Sequence, residues 1–175
     1  MFVGKRMAAG ATVATMIGAA GLAATAPANA AAVDGQTVVT FNKATWKALD
    51  KGGIMVEGVG KAEPINVRSF GFPAKQSKPR FIRHKGGIAF VRADASLTLT
   101  KFRFDLQDEN VDVTVPGLGV VKDALDLGNL KIGKKAVRAK LNVAFGQAAT
   151  LNAALKTTIF KDGMTLGRSK TTFEG

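Results

Sequence analysis

The chain has no cysteine and no tyrosine, and only one histidine and one tryptophan among its 175 residues. Without thiols there are no disulfides, no thiolate metal sites and no cysteine nucleophile. A single imidazole with no phenol beside it removes most acid–base constellations and most nitrogen-rich metal cages. Acids are scarce too: 13 Asp and Glu stand against 25 Lys and Arg, a formal net charge of +12. Hydrophobic residues make up 46% of the chain, which is ordinary for a folded domain and too many for a disordered basic tail. These shortages favour a binding protein over an enzyme.

The first thirty residues read as an address. Lys5 and Arg6 form a short basic head, an uncharged Ala/Gly/Val/Ile run follows from Met7 to about Ala24, and Ala28-Asn29-Ala30 puts small residues at positions −3 and −1. These are the parts of a secretory signal peptide with cleavage after Ala30. The expectation is an exported protein, released or held at the cell surface, whose mature chain is a single β-rich domain over 31–175.

Within that chain the patterning is mostly of period two. Gln36–Phe41 is β-prone, and Asn42 then caps a short helix over Lys43–Lys51. Phe41 and Trp46 have the spacing of a hydrophobic staple, and Gly52-Gly53 ends the helix. Ile54–Val59 and Ile65–Arg68 read as strands, and Gly71–Pro79, with two prolines, as a loop. Phe81–His84 and Ile88–Arg92 flank a turn or bulge at Lys85-Gly86-Gly87. Leu97 and Leu99 alternate on one parity and Phe102, Phe104 and Leu106 on the other, which implies a bulge near Thr100-Lys101 or a strand buried on both faces. Val111–Val115 is a clean strand, Gly119–Val121 and Asp126–Ile132 are ambiguous, and Val137 to Phe145 alternates with one wet face. Gln147–Leu155 has helical spacing, and Thr158–Phe160 with Met164–Phe173 reads as a closing hairpin. The sum is an all-β fold, mainly an antiparallel sandwich or barrel, with two short helices.

Charge is segregated along the chain. No acid occurs between Glu63 and Asp94 or between Asp126 and Asp162, and each stretch carries seven basic residues. Should segments 75–85 and 131–140 share a face, the field there would gather an anionic partner. For an exported protein that partner is an anionic cell-wall polymer, a peripheral envelope surface or an anionic small ligand. Nucleic acid is not expected, because no aromatic ladder accompanies the charge.

Two groups of residues have chemistry to offer. His84 lies between Arg83 and Lys85 ahead of Gly86-Gly87, and neighbouring cations favour its neutral form. With Arg80 and Lys78 upstream and Phe70, Phe72 and Phe81 nearby, it suggests an apolar slot approached past basic residues. Such a slot suits a planar ligand bearing carboxylates. Asp105, Asp108, Glu109, Asn110 and Asp112 crowd eight positions. They read as a solvated turn, as oxygen ligands for Ca²⁺, or as the two carboxylates of a carbohydrate-active hydrolase. No cofactor is predicted from the residues themselves.

The order of short motifs resembles a known family. A Trp-bearing helix and Gly-Gly-Ile are followed by Phe-x-Phe-Pro at 70–73, His-x-Gly-Gly-Ile at 84–88 and Leu-x-Leu-x-x-Phe-x-Phe-Asp at 97–105. Ala-Thr-Leu-Asn-Ala-Ala-Leu at 149–155 comes late, before a Gly-containing hairpin. Over about Thr40–Phe173 this is similar to the HtaA domain of actinobacterial secreted and surface proteins. The resemblance implies a β-rich fold and haem binding at the cell surface, with a Tyr iron ligand supported by a His. His84 matches that His in its Gly-flanked turn, and no Tyr is present to match the ligand. Within 31–175, Met55 and Met164 are further side chains able to offer iron a soft donor.

Overall fold

The computed structural model describes residues 32–174. The expected leader over residues 1–30, with its cleavage site, lies outside the described residues.

A staple sets the first corner. Strand β1 (Val33–Phe41) runs into helix α1 (Lys43–Lys51), and the Asn42 side chain accepts from the Thr45 amide at 2.7 Å. Phe41 and Trp46 close over this cap with ring centroids 6.0 Å apart, as their spacing predicts. At the other end Gly53 takes φ +68°, so its amide reaches the Asp50 carbonyl and the Ile54 amide reaches Leu49. That is a Schellman ending, satisfying carbonyls the helix itself leaves open.

The strands that follow are β2 (Met55–Val59), β3 (Glu63–Asn66), β4 (Ser69–Lys78), β5 (Phe81–His84), β6 (Gly87–Arg92) and β7 (Ala95–Asp105). After them come β8 (Asn110–Val115), β9 (Gly119–Ile132), β10 (Ala136–Val143), helix α2 (Gln147–Ala154) and β11 (Thr165–Phe173). All pairings are antiparallel. Eight strands close on themselves in the order β7–β5–β4–β1–β11–β10–β9–β8 and back to β7. Closure leaves these eight without an open edge. Strands β6 and β2 extend from the edge of β7 that β5 also uses, and β3 lies against β4.

The interior is filled by inward residues of this ring, among them Phe72, Ile82, Val111, Val113, Leu127 and Val143, all buried. Phe41 is a hub, packed edge-on against Phe70 and Phe90 as well as against Trp46. The parity switch in β7 is a bulge. Lys101 has φ +50° and the β7–β8 register slips between Thr100 and Arg103, which returns Phe102 and Phe104 to the side that holds Leu97 and Leu99.

Three segments differ from expectation. Residues 71–79 are not a loop, for β4 runs through Pro73. The missing N–H falls where the edge of β4 changes partner, from β3 opposite Gly71 to β5 opposite Ala74, and the Pro73 carbonyl still accepts from the Lys85 amide. Phe145 does not continue β10; it is 92% exposed, because Gly146 at φ +82° turns the chain into α2. Thr158–Phe160 makes no hairpin with β11. Asn152 grips both backbone groups of Phe160 (2.9 and 3.0 Å), so a side chain takes the place of a strand partner. The two ambiguous segments join as β9, bent at Asp123 and Asn129, both with φ near +50°.

Candidate functional site

Strand β5 divides its side chains between two environments. Ile82 and His84 turn into the barrel, whereas Arg83 turns outward. The His84 ring is buried and tilts against Phe104 at 4.5 Å. Its Nδ1 lies 3.0 Å from the Phe102 carbonyl, which can only accept, so the proton of the neutral ring sits on Nδ1. Nε2 is therefore an acceptor and takes the Thr37 hydroxyl proton at 2.7 Å. The Thr37 oxygen in turn accepts from Thr171 at 2.6 Å. Burial pushes the imidazole down to about 4, against a smaller upward pull from the Phe102 carbonyl. His84 is a neutral strut with both nitrogens engaged.

Outside the wall, the register builds a row of charge. Lys75 on β4 stands opposite Arg83 on β5, Arg83 opposite Arg103 on β7, and Arg103 opposite Asp112 on β8. Like charges directly opposed across a sheet destabilise it unless something anionic lies over them. The row borders a cleft of about 1000 Å³, also lined by Lys61, Ser77, Lys85, Lys101, Val113, Thr114, Val120 and Lys122, and bordered by His84 and Gly86. Arg83, Lys85, Lys101 and Lys122 make no salt bridge among the described residues, and Lys75 has a loose exposed contact with Asp34 at 3.9 Å. Asp112 is the cleft's single carboxylate, and it holds Arg103 and accepts from the Asp123 amide at 3.1 Å. Two backbone devices shape the rim. The β7 bulge brings Lys101 there, and Gly86, at φ +88°, lets the segment at Lys61-Ala62 approach so closely that a Cβ would lie 2.4 Å from the Ala62 nitrogen.

Of the residues singled out in the sequence, Arg83 and Lys85 line this cleft and His84 borders it with its ring turned away. Phe70 and Phe72 belong to the core, Phe72 packing edge-on against Phe102. Phe81 carries the guanidinium groups of Arg80 and Arg103, each 4.9 Å from its centroid. Arg80 is turned to the acidic turn, bonded to Asp105 at 2.8 Å and to Asp108, and Lys78 is exposed at the end of β4. The Asp105 carboxyl is pushed up by burial but held lower overall by Arg80 and by the amides of Asp108 and Gln107. Three of the five crowded oxygen ligands, Asp105, Asp108 and Asp112, are thus taken by arginines. Sequence reasoning passed over Lys61, Lys75, Lys101, Arg103 and Lys122 as site residues, since only cross-strand register unites them. The acid-free segment 75–85 and the parity switch at Thr100-Lys101 were the signals pointing toward this wall.

The second basic segment lies elsewhere. Lys131, Arg138 and Lys170 form a row across β9, β10 and β11, beside the pair Lys140 and Arg168. In the ring of eight, β10 is four strands from β5, so this row occupies the opposite wall.

No family model and no curated protein matches the chain. Solved structures do. The C-terminal domain of HtaA from Corynebacterium glutamicum aligns with 82% of this chain and 99% of its own, at 14% identity and a TM-score of 0.53. The heme binding protein HtaB from the same organism aligns with 82% of this chain and 96% of its own, at 12% identity and a TM-score of 0.53. The fold is HtaA-like. Among the described residues, no His, Tyr, Cys or Met side chain turns its donor atom into the cleft.

Proposed function

We propose that the protein is a non-enzymatic binder of a planar, carboxylate-bearing tetrapyrrole of the haem type, held in the cleft outside β4, β5, β7 and β8. The observation that carries this reading is the opposed row Lys75–Arg83–Arg103 beside an apolar cavity of ligand size. Two anionic side arms would neutralise the row while the ring lies against Val120 and the aliphatic stems of the surrounding lysines. The likeness in fold to a protein described as heme binding supports the same ligand class. Titration with haemin tests it. A shifted Soret band is expected, with Arg83→Glu weakening binding by about a hundredfold as attraction becomes repulsion. A Soret band unmoved by the wild-type protein sinks the proposal.

A second reading draws on the opposite wall. The row Lys131–Arg138–Lys170 is exposed and has no acid opposite it, which suits weak, salt-sensitive adhesion to an anionic cell-wall polymer. This goes with an exported protein, released or surface-held after cleavage near Ala30, with one β-rich domain over 31–175. Sequencing the N-terminus of secreted protein checks the export. Retention on purified cell wall that ignores ionic strength would remove the adhesion.

A further inference from the structure

Haem iron is ordinarily held by the side chain of a His, Tyr, Cys or Met. The chain has no Cys and no Tyr. His84 is sealed inside the barrel, its one lone pair filled by the Thr37 hydroxyl and its N–H spent on Phe102. To reach the cleft it would have to break both bonds and leave a filled interior. Met55 lines a separate hollow with Trp46 and Val67, and Met164 packs against the core. Among the described residues, what faces the cleft besides Val120 are ammonium and guanidinium groups, which have no lone pair to give, two hydroxyls, and Asp112, whose carboxylate is committed to Arg103 and the Asp123 amide.

We infer that the cleft recognises the carboxylates and the flat apolar face of its ligand and not the metal, so that it takes the metal-free porphyrin as tightly as the iron form. The inference rests on the tetrapyrrole reading above. Selectivity is a difference of interactions, and a metal that gains no protein ligand adds nothing to that difference. The resting site of such a protein would carry porphyrins of any metal content.

The test is equilibrium dialysis of the full chain against haemin, metal-free protoporphyrin IX and protoporphyrin dimethyl ester, in which the carboxylates are masked. Haemin and the free base should bind within about threefold of each other, and the ester more weakly by about tenfold or more, as charge-assisted hydrogen bonds are lost. The electron paramagnetic resonance of bound haemin should be the same in wild type and in His84→Gln, whose fold is verified by circular dichroism. Haemin binding tenfold tighter than the free base overturns the inference, as does an ester that binds as well as the acid, or an iron signal altered by His84→Gln. The first of these results leaves the tetrapyrrole reading standing. If neither haemin nor the free base binds, that reading falls and takes the inference with it.

Discussion

The Thr37 hydroxyl donates to Nε2 of His84 across 2.7 Å in the barrel interior, and through this bond and its neighbours four strands are tied together. Thr171 on β11 donates to Thr37 on β1, and His84 on β5 donates to the Phe102 carbonyl on β7. Every polar side-chain atom in this relay has a partner, which is what allows it to be buried.

Such a strut makes stability depend on acid. Burial lowers the His84 pKa from 6.5 to about 4, so the unfolded chain binds this proton more readily than the folded one. Stability from this residue is fully present above pH 6.5 and is lost as pH falls toward 4, up to about 3 kcal/mol in all. Urea unfolding midpoints measured between pH 7 and pH 4 should fall accordingly. In His84→Gln, which can still donate and accept, most of that slope should vanish; an unchanged slope would assign it to other groups.

Beside the cleft, the acidic turn is organised by one arginine. Asp105 is buried, grips Arg80 with both oxygens, and accepts from the amides of Gln107 and Asp108. Asp108 meets the same guanidinium from an exposed position. Asp105→Ala should therefore cost about 2–3 kcal/mol, leaving a half-buried charge and two amides without their acceptor. Asp108→Ala should cost less than about 1 kcal/mol. Chemical denaturation of the two variants checks the ordering, and equal losses would contradict it.

How far sequence reaches is visible in these same residues. The α1 cap, its staple and its glycine ending are local, and local spacing is enough to read them. The β7 bulge was legible because burial on one side of a strand forces a change of parity to be repaired by an extra residue. The acid-sparse segments around Arg83 and Arg138 were legible as charge, yet which walls they occupy depends on the order of eight strands, which no window of sequence contains. His84 was legible as neutral and Gly-flanked. Its role was not, because the Thr37–His84 and Thr37–Thr171 bonds join residues 47 and 134 positions apart in the chain. Pro73 misled for a related reason: a proline is tolerated inside a sheet where a strand changes neighbours, and the neighbours are set by tertiary structure.

The two glycines with positive φ near helix α1 and the cleft separate backbone strain from crowding. Gly53 has open space where a methyl group would sit, so Gly53→Ala should cost about 1 kcal/mol from φ alone. Gly86→Ala meets the Lys61-Ala62 backbone as well and must displace that rim. It should be less stable than Gly53→Ala and also weaken haemin binding, whereas Gly53→Ala should leave binding unchanged. Matching thermal melts and Soret titrations would read both effects from one pair of proteins.

The opposed cations at the cleft carry the sharpest consequence, since stability and binding should respond to them in opposite directions. Lys75 and Arg103 flank Arg83 on adjacent strands, and each like-charged neighbour across a ladder costs a few tenths to about 1 kcal/mol. Arg83→Gln removes both repulsions at the centre of the row, where Arg83 has no acidic partner of its own among the described residues. The ligand-free variant should therefore unfold at an equal or higher denaturant concentration than wild type, and the gain should shrink as salt is added. Its affinity for haemin should meanwhile drop by about tenfold, the loss expected for one charge-assisted contact to a carboxylate. Arg138→Gln, in the row on the far wall, should leave the Soret titration unchanged. If Arg83→Gln lowered stability and left affinity intact, the row would be a structural feature of the sheet and the cleft would lose its claim to an anionic ligand.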